Sequence, residues 1–302
     1  MNRWTSALGV ATALMACSSR AASDPQPALT HDPASGVWSV QLHAMHAEVP
    51  LGDGKLAHGW TYDGLVPGPL IVVPEGASVD VTMRNDDPMT DMKHGLDIHA
   101  AQIAPLAFGP VASGQLISFR FVATVPGIFM YHCSAEPMLQ HVANGMFGAF
   151  VVMPKSAPTA RGYVIVQSEW YSDENDLADM TAGRASEVTF NGTVGALVRH
   201  PLLARTGELV RFFVLNAGPT HEMSLHVVGA LLHPSDTNAG SLVQTLAIPP
   251  GSGSIVEVRF AQAGRYPIIS HSLGDMALGA VGYIDVSDDA DAATDSAPQL
   301  VR

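Results

Sequence analysis

From Ser78 to Arg84 the chain reads S-V-D-V-T-M-R, with Val79, Val81 and Met83 alternating with polar residues. A two-residue period puts the apolar positions on one face of an extended strand and the polar ones on the other. The same period returns at Ile117, Phe119 and Phe121, and a continuous apolar run covers residues 150–153. After P-K-S-A-P-T-A-R (154–161), which reads as a linker, strand patterns resume in residues 162–171, 186–192, 208–217, 223–230, 254–261 and 279–287. No long stretch has the 3.6-residue period of an amphipathic helix. The pattern predicts an all-β protein.

The two halves also repeat one another. G-x-x-V-x-V-T-M-R-N (76–85) is echoed by G-E-L-V-R-F-F-V-L-N (207–216), and G-A-F-V-V-M (148–153) by G-A-V-G-Y-I (279–284). Phe121 precedes His132 by eleven residues and Phe260 precedes His271 by eleven. Tandem duplication of one Greek-key β-sandwich accounts for this, with domain 1 expected over 37–155 and domain 2 over 156–287. Residues 18–36 read as a flexible tether and 288–302 as a disordered acidic, Ala-rich tail.

Composition narrows the function. The net charge of −13, with no cluster of Lys or Arg, excludes nucleic acid as a natural partner. An apolar run over residues 7–16, too short to span a membrane, ends in Leu14-Met15-Ala16-Cys17. That ending resembles a bacterial lipobox, so residues 1–17 are expected to be a lipoprotein signal with Cys17 as the lipidated residue. A plain secretory signal cut near Ala21 and Ala22 is the alternative. Both make the protein exported, on the periplasmic side of a bacterial membrane. The chain has only two cysteines, so with Cys17 lipidated Cys133 has no partner for a disulfide.

Thirteen histidines prompt a search for metal ligands. Two histidines, a cysteine and a distal methionine make the donor set of an electron-transfer copper, soft enough for Cu(I) and nitrogenous enough for Cu(II). His94, followed by Cys133, His141 and Met146 on one later loop, has that form, with Met138 as a competing methionine. His132 adjoins Cys133 and His99 lies five residues beyond His94, both odd offsets that turn a strand side chain to the opposite face. They form a second candidate set, to which the repeat adds His271, and three imidazoles with an open position suit a catalytic metal. Asp97 shares a side with His99, and His226 occupies the repeat position of His99. Each is a candidate proton donor, with a loop cap (Asp97) and a fourth ligand (His226) as alternatives.

The segments H-G-L-D-I-H-A-A (94–101), P-G-I-F-M-Y-H-C (126–133), H-V-A-N-G-M-F-G-A (141–149), V-T-F-N-G-T-V-G-A-L (188–197), S-L-H-V-V-G (224–229) and S-H-S-L-G-D-M-A-L-G-A (270–280) resemble the two-domain copper nitrite reductases. So does D-G-L-V-P-G-P-L-I-V-V-P-E-G (63–76), and the likeness runs over residues 38–286. It implies two cupredoxin domains, a type 1 copper on His94, Cys133, His141 and Met146, and a type 2 copper on His99 and His132. It further implies that His271 comes from the neighbouring subunit of a homotrimer, and that Asp97 and His226 are the catalytic pair. Val228 falls where a bulky residue shapes the nitrite pocket, and Thr245 where a threonine supports the catalytic histidine. The electron donor implied is a small redox protein, a c-type cytochrome or another cupredoxin. The sequence departs from the family at Gln140, where a tryptophan often stands, at Q-I-A-P-L-A-F-G (102–109), and at Leu231, with His233 nearby.

Two rival readings remain in the sequence. A laccase-type oxidase needs about eight histidines, commonly in H-x-H pairs, and this chain has no H-x-H. A copper electron carrier without nitrite turnover would hold only one copper per chain.

Overall fold

The computed structural model describes residues 28–89, 91–235, 241–291 and 297–302. The proposed signal, Cys17 and most of the tether lie outside the described residues. The chain forms two β-sandwiches in tandem. In the first, one sheet runs Leu29–Asp32, Val37–Gly52, Ala77–Asn85, Leu116–Ala123, with Lys55–Tyr62 also paired to the long second strand. Its other sheet runs Ile71–Pro74, Phe147–Met153, Gly127–His132, Asp97–Ile98. The second sandwich has the sheets Glu187–Phe190, Arg161–Trp170, Leu209–Asn216, Gly253–Arg259, His233–Pro234 and Leu202–Arg205, Val281–Ser287, Gly264–Ser270, Met223–Val227, Leu246–Ile248.

Alternation places three apolar cores. Val79, Val81, Met83, Tyr131, Phe150 and Val152 fill the first sandwich. Ile165, Phe212, Val214, Leu225 and Ile268 fill the second. A third core lies between them, where Ile128, Met130, Ala149 and Val151 meet Val164, Val166, Phe213 and Leu215. The strands at this junction are thus apolar on both faces, with odd and even positions serving different cores. Each large side chain so buried contributes about 1.5–3 kcal/mol.

Both chain ends differ from expectation. The tether was expected to reach residue 36, yet Leu29–Asp32 pairs antiparallel with Val37–Val40. The hairpin is closed by Asp32, whose carboxylate accepts from Ala34 N (2.9 Å) and Ser35 Oγ (2.6 Å), while Gly36 takes a left-handed φ of 71°. The tail expected to be disordered ends instead in a short strand, Gln299–Leu300, parallel to Tyr163–Val164. Beyond it, Val301 O accepts from Asn191 Nδ2 (2.7 Å), and Arg302 donates to the carbonyls of Pro67 (2.8 Å) and Gly68 (3.1 Å). Two paired residues are too few to carry a readable period, which is why the pattern missed them.

Candidate metal centres

The strand Gly127–His132 sets the geometry. Ile128 and Met130 point into the interdomain core, so His132, two residues on, continues along that face. Cys133 takes the other side and is buried in the core of the first sandwich. The adjacent residues of the sequence therefore face different compartments.

Around Cys133 the backbone ties the loop together. Cys133 N donates to Met146 O (3.1 Å), and Met146 N to His141 O (3.0 Å). Gly145 permits the return at φ 109°, where a Cβ would fall 2.6 Å from Val66 Cγ2. His94 is pinned from the other side by reciprocal bonds with Val111 (3.1 and 2.9 Å). The Sγ of Cys133 and a ring nitrogen of each of His94 and His141 lie within 4.8 Å of one another, and all three residues are buried. Met146 is fully buried and Met138, at the start of the helix Met138–Ala143, is 38% exposed.

These residues fit a soft cation better than they fit one another. His141 Nδ1 is buried without a hydrogen-bond partner. Burial, reinforced by His94, pushes the His141 imidazole down to about 4, so its ring is neutral and carries a free lone pair. Burial pushes the Cys133 thiol up to about 11, against the pull of the Gly95 and Ala135 N–H groups at 3.4 and 3.5 Å. A thiol so placed ionises readily only beside a metal. The sulfur is 3.9 Å from His94 Nδ1. A His₂Cys set with a nearby methionine suits copper.

The second set is more open. His132 Nδ1 donates to Cys133 O (2.9 Å), and His99 Nδ1 donates to Gly251 O (3.1 Å). With both Nδ1 atoms engaged as donors, the two Nε2 atoms present lone pairs, and they face each other at 3.1 Å. Two lone pairs at that distance repel unless a proton or a cation lies between them, so this pair also fits a metal. Burial lowers the pKa of His132, favouring the neutral ring a metal needs. Asp97 pairs with His132 across the strands and brings Oδ2 to 3.9 Å from its Nε2. His99 and His132 line a cavity of about 320 Å³, with Met138, Leu139, Pro219 and Pro250 among its walls.

His271 does not join that cluster within the chain. It lies in domain 2 against His226, with ring centroids 5.4 Å apart. His226 Nδ1 donates to Gln244 O (2.7 Å), so the support for this ring comes from the residue beside Thr245, which is exposed. Val228 is 40% exposed. Sequence reasoning missed three further groups. Buried Asp87 contacts His94, His46 contacts Asp87, and His221 pairs with Asp275. His221 was detectable, since it precedes His226 by the five residues that separate His94 from His99.

Residues 44–157 match the family model described as multicopper oxidase. The chain is 33% identical to the copper-containing nitrite reductase of Neisseria meningitidis serogroup A over 284 residues, 88% of this chain and 73% of that protein. It is 33% identical over 276 residues to that of Alcaligenes xylosoxydans, 78% of this chain and 81% of the relative. Among solved structures, the copper nitrite reductase from Nitrosomonas europaea superposes with a TM-score of 0.79 at 34% identity, covering 84% of this chain and 95% of that one.

Proposed function

This chain belongs to the copper-containing nitrite reductases, a copper-dependent oxidoreductase family that forms nitric oxide, and on that premise we propose how its own residues divide the work. His94, Cys133, His141 and Met146 hold the type 1 copper. His99 and His132 hold the type 2 copper together with His271 of a neighbouring copy. When bound, the two coppers supply a one-electron store and an open coordination position at which nitrite is reduced.

The overall reaction consumes one electron and two protons and yields NO and water. The observation that carries the assignment is the pair of facing Nε2 atoms, 3.1 Å apart, one peptide bond from the buried thiol. That peptide joins the two donor sets through covalent bonds alone. Asp97, half-buried beside His132, delivers one proton to the departing oxygen, and the His226 that accompanies His271 in the neighbouring copy, fixed through its Nδ1 by Gln244 O, delivers the other from Nε2. Val228 bounds the nitrite pocket and Thr245 steadies the loop that orients His226.

The family resemblance implies a homotrimer, in which His271, absent from the cluster of its own chain, would reach the His99–His132 set of the next copy. Its support is the exposed apolar surface in the two segments that carry His226 and His271, with Val228 40%, Leu231 51% and Leu273 54% exposed. A c-type cytochrome or small cupredoxin docks over the exposed start of the helix Met138–Ala143, above His141. Export to the periplasmic side and lipid anchoring through Cys17 rest on the sequence of residues 14–17. Labelling with a radioactive fatty acid, lost in Cys17→Ser, tests them.

The decisive measurement pairs a copper count with anaerobic NO production from nitrite on one sample. Two coppers per chain and nitrite-dependent NO are expected. One copper and no NO would make the protein an electron carrier.

A further inference from the structure

Asp87 has no place in the ligand set or the proton route, yet it is fully buried. Its two oxygens do different things. Oδ1 accepts from Met89 N (2.9 Å), which caps the loop leading to His94. Oδ2 faces two imidazoles, accepting from His94 Nε2 at 2.8 Å and lying 2.6 Å from His46 Nδ1. The His46 contact is out of hydrogen-bond alignment, but a nitrogen that close to a carboxylate oxygen must carry its hydrogen. The loop is held in place by Asn85, which accepts from Asp87 N (3.1 Å) and donates to Met92 O (3.0 Å) and Val111 O (2.9 Å).

We propose that Asp87 is the positioning residue of the type 1 site, fixing His94 as its Nε2–H tautomer and, through its buried charge, favouring the oxidised copper, while His46 partly offsets that charge. The proposal rests on reading His94, Cys133 and His141 as copper ligands. A carboxylate only accepts, so the Nε2 hydrogen is fixed on its side of the ring and the Nδ1 lone pair is left toward Cys133 Sγ, 3.9 Å away. A loop cap alone would need Oδ1 only. Burial weakens screening, so a negative charge one hydrogen bond from a ligand stabilises the more positive metal state.

Asp87→Asn separates these roles. The amide oxygen retains the Met89 cap, while Nδ2 replaces Oδ2 and meets His94 Nε2–H donor to donor. Copper affinity at this site should fall 10–100-fold, as loss of a carboxylate behind a ligating histidine does. The potential should rise by about 59 mV, a tenfold shift in the oxidised-to-reduced ratio. His46→Phe removes the offsetting N–H and should move the potential the other way. An unchanged potential in a copper-loaded Asp87→Asn protein, or shifts of the same sign in both variants, overturns the proposal. A separate arm needs no metal: ¹⁵N NMR of the copper-free protein should find His94 as the Nε2–H tautomer, and the Nδ1–H tautomer refutes the proposal. If the wild type lacks thiolate–copper absorption while His94 is Nε2–H, the ligand assignment has failed and the positioning of His94 has not.

Discussion

Asn85 and Asn216 hold the same place in the two domains and do the same work. Each accepts from the backbone N–H two residues on, at 3.1 Å from Asp87 and 3.0 Å from Gly218, and each donates to two backbone carbonyls. Each then leads to a histidine five residues before the next, His94 before His99 and His221 before His226. From there the domains diverge. His94 has one acceptor, Asp87, and keeps a lone pair toward Cys133. His221 has two, Asp275 Oδ1 at 2.8 Å and Gly183 O at 2.7 Å, and Ser272 stands where the thiol would be. A ring flanked by two acceptors is stable only as the cation, and Asp275 foremost raises His221 to about 9. The number of acceptors around equivalent imidazoles thus separates a ring with a lone pair free for a metal from a structural cation.

The contrast can be broken from the copper side first. Cys133→Ser gives domain 1 the residue domain 2 already has. It should cut the copper count from two to one per chain and lower NO formation with a protein donor by at least about 100-fold, as metal analysis and turnover would record. Asp97→Asn should leave both coppers in place and lower turnover by about 10²–10⁴, the range of one lost proton donor. Retained wild-type turnover would remove Asp97 from the mechanism.

On the domain 2 side the effects are on stability. The folded pKa of His221 lies above its unfolded value of about 6.5. Its contribution is therefore full below pH about 6.5 and lost as pH rises toward about 9. Asp275→Asn should cost on the order of 2–3 kcal/mol at pH 6 and nearly nothing by pH 10. Thermal melts across that interval, wild type against variant, should converge as pH rises; a constant gap would refute the cation. The smallest effect is expected from deleting residues 299–302, which removes the Arg302 bonds to Pro67 and Gly68. It should cost about 1–2 kcal/mol and leave the copper content unchanged, which calorimetry and metal analysis would show.

Much of this was legible in the chain because a two-residue period is a geometric rule. Ile128, Met130 and His132 share one face and Cys133 takes the other, and no tertiary information is needed to say so. The five-residue step from His94 to His99 was readable likewise, though between them only Asp97 and Ile98 are strand. Asp87 was not readable. It stands seven positions before His94, outside any strand, and nothing in a sequence fixes where such a segment returns. His221 carried a signal, its spacing, but its fate depends on Asp275, 54 residues on, and on a carbonyl, Gly183 O, that has no sequence signature. The terminal strand at Gln299–Leu300 depends on a parallel partner over a hundred residues away.

The strand Gly127–His132 is gripped between two cores, with Phe129 and Tyr131 packed one way and Ile128 and Met130 the other. Close-packed interiors barely compress, so this strand behaves as a rigid gauge block with a donor set seated against each side of its end. A strand packed on both faces holds the two donor sets at one separation. On the proposed reading, the electron's crossing from Cys133 to His132 then has a fixed length. Trimming Ile128 or Met130 would loosen the gauge and slow the crossing without altering any ligand.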